Sequence, residues 1–175
     1  MTRAREVVGG TVLRPARDDD LAAMLRWRNH PKVRATSFTT HVIGPGEHTR
    51  WWEAVRSDPS TRVFVYEHGG TPAGVVTYSG LVARSGSWGY YLDLDGLGTS
   101  GALLAAWIGL ERAAVEHAFG PLGLTTLRGE VLADNESVRR LHRRFGFTEV
   151  TRYRRRVDGA QREVVVVQLT REENR

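Results

Sequence analysis

Cysteine is absent from the 175-residue sequence, lysine occurs once, at Lys32, and no apolar run approaches the length that crosses a bilayer. Each absence narrows the chemistry. Without cysteine there is no disulfide, no thiolate nucleophile and no cysteine metal site, and no metal is expected. A membrane-spanning helix needs about 20 consecutive apolar residues. None occurs, and residues 1–10 carry charge with no apolar segment behind them, so the chain reads as cytoplasmic with no membrane partner. Repeats, low-complexity linkers and shifts of composition are also missing, so residues 1–175 are expected to form one domain around one core.

Charge is the first positive feature. The net charge is +5, carried almost wholly by arginine, and an arginine surplus can neutralise phosphates. Its distribution argues against nucleic acid, because the arginines alternate with Asp and Glu along most of the chain. One dense stretch stands apart: Arg139, Arg140, Arg143 and Arg144, then residues 152–156. It reads as a solvated helix face, with attraction for the phosphates of a nucleotide ligand as the alternative.

Periodicity divides the chain into elements. Residues 11–14 form a short strand, and the acidic triplet at 18–20 caps a helix over 21–29 that Pro31 stops near His30. A polar connector over 29–46 leads to a helix over 47–57. Two β-branched, aromatic runs flank Gly69 and Gly70 and predict a hairpin over 62–81, followed by a strand over 88–94. The longest helix covers 99–119, where Leu103, Leu104, Trp107, Leu110, Ala114 and Phe119 recur at helical spacing. A strand over 124–132, a helix over 135–145 and a strand over 162–169 complete the pattern. Strands outnumber helices and several neighbours are hairpins, so the sheet should be mixed and mostly antiparallel, with about four flanking helices.

Two segments carry chemistry. The first, DGLGTSGALLAA at 95–106, joins a strand to a helix through Gly96, Gly98 and Gly101. Glycines let backbone amides crowd around an anion, and the following helix N-terminus adds free N–H groups and the positive end of its dipole. Such a turn also serves packing alone. The second, ADNESVRRLHRRFGF at 133–147, places Asn135 at a helix start and His142 two turns later on the same face. Separately they read as a helix cap and a surface histidine; together they line up a ligand contact and a titratable group.

In combination, the glycine-rich strand-to-helix loop and N-x-x-V-x-x-L-H-x-x-F-G-F resemble the GNAT acetyltransferases over nearly the whole chain. The resemblance implies an α/β fold whose two central strands splay apart to admit acetyl-CoA. Leu92, Asp93 and Leu94 would then flank the pantetheine arm, Gly96, Leu97, Gly98, Thr99, Ser100 and Gly101 would cradle the pyrophosphate, and Asn135 and His142 would contact the cofactor. Two positions depart from the family pattern in the loop. Asp95 stands where Gln or Arg is usual and should point outward, or weaken CoA binding; Ser100 replaces the last small residue. In the helix, His142 replaces a tyrosine that protonates the departing thiolate, a task open to imidazole.

Amine attack on a thioester also calls for a base, and Glu130 and Asp93 are the carboxylates on the strands beside the wedge, with Glu130 preferred and a structural salt bridge as the alternative. The segments LRWRNHPKVR, EHTRWW and YRRRVDGAQREVVVVQL resemble nucleotide-linked amino-sugar N-acetyltransferases of the pseudaminic-acid pathway. On that likeness Trp27, Arg28, Asn29, Phe38 and Tyr90 would line the acceptor side, while Trp107 and Trp52 read as core. Acetylation of protein N-termini or antibiotic amines is the enzymatic alternative, and a non-catalytic acyl-CoA-binding or nucleic-acid-binding module the alternative of another class. A homodimer paired through the late strand or the hairpins is compatible with the pattern.

Overall fold

Period-two runs of β-branched and aromatic residues set the strands of the computed structural model, which describes residues 7–8 and 11–171. In chain order these are β1 (Val7–Val8), β2 (Thr11–Pro15), a 3-10 turn (Asp18–Asp20), α1 (Leu21–Arg28), α2 (Pro31–Ala35) and α3 (Pro45–Ser57). There follow β3 (Arg62–His68), β4 (Thr71–Val82), β5 (Ser85–Leu92), α4 (Leu94–Thr99) and α5 (Leu103–Phe119). The chain ends with β6 (Thr126–Leu132), α6 (Glu136–Arg144), β7 (Thr148–Val157) and β8 (Ala160–Thr170).

One mixed sheet has the order β1-β2-β3-β4-β5-β6-β8-β7, with every neighbour antiparallel except β5 and β6. That parallel pair is short. It joins Ser85–Trp88 to Thr126–Gly129 and then parts: Gly89 through Leu92 pair only with β4, and Glu130 through Leu132 only with β8. At the apex of the fork the Trp88 indole lies across Gly129, where an added Cβ would come within 3.3 Å of Nε1.

Side chains that alternate along β4 and β5 feed two cores. Val76, Tyr78, Trp88 and Leu92 face α5, whose Ala106, Leu110, Ala113, Ala114 and Ala118 let the helix lie close to the sheet. Tyr78 Oη donates to the Ala114 carbonyl at 2.6 Å, so this hydroxyl is satisfied inside the core. On the other face Val65 and Val75 pack against Met24 and Trp27 of α1. No described helix is long and apolar enough to cross a membrane.

Three expectations are corrected. The connector contains α2, because proline is tolerated in the first helical turn and His30 Nδ1 caps the Lys32 amide. The strand over 88–94 ends at Leu92, because the Asp93 carboxylate accepts from the Gly96 amide and starts α4. β7 has no counterpart in the pattern read from sequence. It is an edge strand, exposed at nearly every position, so no apolar alternation marks it; it is held by pairing with β8 across Asp158 and Gly159, both at positive φ. Consequently Arg152, Arg154, Arg155 and Arg156 lie on this strand, and only Arg139, Arg140, Arg143 and Arg144 lie on a helix. Arg139 and Arg152 share Glu149, at 2.6 and 2.9 Å, and Arg152 also reaches Glu163, so much of the dense stretch is paired with acid.

Leu110 is fully buried between α5 and β4. Leu110→Ala is expected to lower the unfolding free energy by about 2–5 kcal/mol in urea denaturation, from lost transfer energy and the cavity left behind; an unchanged midpoint would contradict this packing.

Candidate active site

The fork between β5 and β6 opens a cavity of about 270 Å³ that passes through the sheet. Trp88, Tyr90 and Trp107, with Asn135 and His142, line it on the side of α5 and α6. Lys32, Thr36 and Ser37, with Tyr91, line it on the side of α1 to α3. Along its β5 wall the main-chain groups of residues 89–92 that point toward β6 lack a strand partner.

A buried polar chain occupies the α5 side. Trp107 Nε1–H donates to Tyr90 Oη, Tyr90 Oη–H donates to Glu111 Oε2 at 3.4 Å, and Glu111 Oε1 lies 2.6 Å from His142 Nδ1. Glu111 has no solvent exposure and His142 has 3 %. Trp88 and Phe147, stacked on each other, pack against the imidazole with ring centroids at 5.5 and 5.2 Å. Nδ1 is thereby engaged, and Nε2 is the ring nitrogen left to face the cavity. Burial, reinforced by the Glu111 charge, pushes the Tyr90 hydroxyl well above its ordinary pKa and keeps it a protonated donor.

Sequence reasoning does not single out Glu111, although a signal is present: a carboxylate one turn after Trp107 and three residues before Ala114, inside the apolar stripe of α5. Trp107, assigned to the core by its spacing, lines the cavity and orders Tyr90.

The predicted positions separate into two groups. Tyr90, Leu92, Leu94, Glu130, Asn135 and His142 all line the cavity. Asn135 begins α6 without a side-chain cap bond, so its side-chain amide is free for a ligand, while its backbone N–H donates to the Leu132 carbonyl. Glu130 is exposed at the rim, where Oε1 accepts from Tyr153 Oη at 2.9 Å. Gly96, Gly98, Thr99, Ser100 and Gly101 do not form the expected open cradle. The amides of Gly96, Leu97, Ser100, Gly101 and Ala102 are bonded within the chain because the loop closes into α4, and Leu97 points into the core. The amides of Leu103, Leu104 and Ala105, in the first turn of α5, have no backbone partner, nor do those of Leu94 and Asp95 at the start of α4. Asp95 is turned outward, 86 % exposed and 3.4 Å from His30 Nε2.

On the acceptor side, Trp27 is corrected to a core residue, packed with Met24, Val65 and Val75. Asn29 is corrected to a loop staple: Nδ2 donates to the Ile43 carbonyl and Oδ1 accepts from the Ile43 amide, both at 2.8 Å. Arg28 donates to the Thr39 carbonyl, and burial lowers its guanidinium pKa. Phe38 packs beside Leu132 and Tyr153 and carries the Arg155 guanidinium 4.3 Å above its ring.

Comparison with known proteins matches residues 11–148 to a family model described as an acetyltransferase (GNAT) domain. Acetyltransferase PseH of Campylobacter jejuni strain 81-176 is 25% identical over 131 residues, covering 74% of this chain and 77% of the relative. The crystal structure of a C. jejuni PseH superposes with a TM-score of 0.65 at 18% identity, over 93% of this chain and 99% of that one. A spermidine N-acetyltransferase from Vibrio cholerae, solved with CoA and spermine, superposes with a TM-score of 0.76 at 17% identity, over 93% and 96%.

Beneath the acceptor side, His48 is buried against Trp51, and its Nε2, like Arg28 Nη1, has no partner among the described residues. Burial first, and the Arg28 charge second, hold the His48 imidazole below its ordinary pKa. A depressed histidine takes up its proton first in the unfolded chain, so its stabilisation is complete above the unfolded pKa of about 6.5 and is lost as pH falls below it. Thermal unfolding measured from about pH 7 down to about pH 5.5 should show a falling midpoint, and His48→Gln should flatten that slope.

Proposed function

The chain belongs to the GNAT acetyltransferase family and draws its acetyl group from acetyl-CoA, and from that premise we propose that it N-acetylates a primary amine of a nucleotide-linked amino-deoxy sugar. The residues present fit the cofactor. The unpaired β5 edge at 89–92, the apolar walls of Leu92, Leu94, Leu103 and Val138, and the free Asn135 side-chain amide suit a pantetheine arm. The amides of Leu103, Leu104 and Ala105 offer donors for its diphosphate. Bound there, the cofactor supplies a thioester carbonyl that is open to attack by an amine.

The chain's own groups then act on the acceptor. The wedge holds the amine beside the carbonyl, which turns a bimolecular encounter into a positioned one. His142 exchanges a proton through Nε2, in place of the tyrosine usual at this position. Glu130, held by Tyr153 at the rim, meets the incoming amine by charge or through a water.

The observation that carries the choice of acceptor is the charge of the cavity's far wall. Lys32, the one lysine of the chain, lines the cavity, and Glu130 is the one carboxylate among its described lining residues; outside that lining, Arg155 lies over Phe38, the residue after Ser37. An aromatic face with cations beside it suits a nucleotide diphosphate and an apolar deoxy-sugar face. A polycation such as spermidine would meet Lys32 instead of a row of acids. The likeness to the amino-sugar acetyltransferases points the same way.

Thiol release from acetyl-CoA, screened over nucleotide-linked amino sugars, polyamines, aminoglycosides and peptides, tests the reading. Turnover confined to the sugar nucleotides is expected; turnover on polyamines or peptides with none on sugars would overturn it. His142→Gln should lower kcat by about 10²–10⁴-fold. Lys32→Glu should raise the sugar-nucleotide KM at least about tenfold while kcat stays nearly constant, as expected when a residue binds the ground state and the transition state equally well.

A further inference from the structure

The polar chain behind His142 has a direction, and that direction determines which ring nitrogen can exchange a proton. An indole N–H only donates. Trp107 therefore occupies a lone pair of Tyr90 Oη and turns the hydroxyl hydrogen toward Glu111 Oε2, 3.4 Å away. Glu111, with no exposure, accepts from Tyr90 on one oxygen and faces His142 Nδ1 with the other at 2.6 Å. A buried carboxylate is tolerated only where its oxygens are satisfied by donors, and Nδ1–H is the donor that completes this set. Trp88 and Phe147, stacked on each other, both pack against the ring and oppose its rotation.

We propose that Glu111 is the positioning residue of this site: its buried carboxylate keeps a proton on His142 Nδ1, so that Nε2 is the one atom through which the imidazole exchanges a proton with the cavity. The inference rests on the reading of His142 as the proton carrier. In the transfer, the amine forms its bond to the acetyl carbon and its proton passes to Nε2. As the carbon–sulfur bond breaks, Nε2 gives that proton to the departing sulfur. The imidazole returns to its starting state, and the net change is one N–H exchanged for one S–H. Throughout, Glu111 stabilises the imidazolium through Nδ1–H without itself meeting substrate.

The test begins with the free protein, labelled with ¹⁵N-histidine and measured without CoA or acceptor by two-bond ¹H–¹⁵N correlation. The six histidines give six patterns, and His142 is identified by the pattern that disappears in His142→Gln. A protonated, pyrrole-type Nδ1 is expected for His142; a pyridine-type Nδ1 would overturn the proposal, because Glu111 would then be the donor and Nε2–H the resting state. In Glu111→Gln, kcat is expected to fall about 10- to 100-fold, by analogy with the loss seen when the outer hydrogen-bond partner of a metal-bound histidine is removed, with both KM values little changed. A kcat within twofold of the parent would equally overturn it. Should Glu111→Gln fail to fold, Tyr90→Phe removes one donor from the carboxylate, and a fall in kcat is again expected; a kcat within twofold of the parent would overturn the proposal. The histidine spectrum stands apart from the acceptor assignment: failure of every amine to turn over, beside a protonated Nδ1, would count against the proposed function and leave the role of Glu111 in place.

Discussion

The structure depends on the early parting of two parallel strands. β5 and β6 share four residue pairs and then diverge, each keeping its outer partner, so the sheet stays continuous at both edges while it opens in the middle. A gap in a sheet leaves main-chain groups without partners, which is costly in an apolar interior. Here that cost is offset where a ligand can supply the missing bonds. The same gap joins the two faces of the sheet, so residues of α5 and α6 and residues of α2 line one cavity.

Around this opening the chain accepts an unusual burial. Glu111 sits inside a helix face otherwise filled by alanine and leucine, and it is stable there because Tyr90 and His142 converge on its two oxygens. Removing either donor leaves a buried carboxylate short of a bond, which is expensive where water cannot enter. The imidazole is fixed by the same bonds and by the rings of Trp88 and Phe147. Orientation of the imidazole and satisfaction of a buried carboxylate are therefore one arrangement, built by residues on β5, α5 and α6.

The surplus of positive charge divides by location. On α6 and β7, Arg139, Arg140, Arg143 and Arg152 meet Glu136, Glu149 or Glu163 in surface pairs, each of small energetic weight. Lys32 instead lines the cavity, and Arg155 lies over the Phe38 ring. Net charge alone suggests phosphate binding in general; position sets Lys32 apart as the lysine or arginine that lines the cavity among the described residues.

Local sequence determined much of this protein. Hairpin turns at Gly69 and Gly70, the long apolar stripe of α5 and the pairing of Asn135 with His142 two turns on follow from rules that act over a few residues, so the mixed α/β pattern could be read directly, while the wedge and its lining at Tyr90, Leu92 and Leu94 came from the resemblance to the GNAT family. Tertiary structure alone decided the rest. An edge strand such as β7 buries little and so leaves no alternation to read; Asn29 became a staple because Ile43 folds back onto it, and the glycine loop closed because Asp93 reached its own helix start. Glu111 meets His142 across 31 residues. A contact at that separation is set by how two helices pack on one sheet, and no spacing along the chain records it.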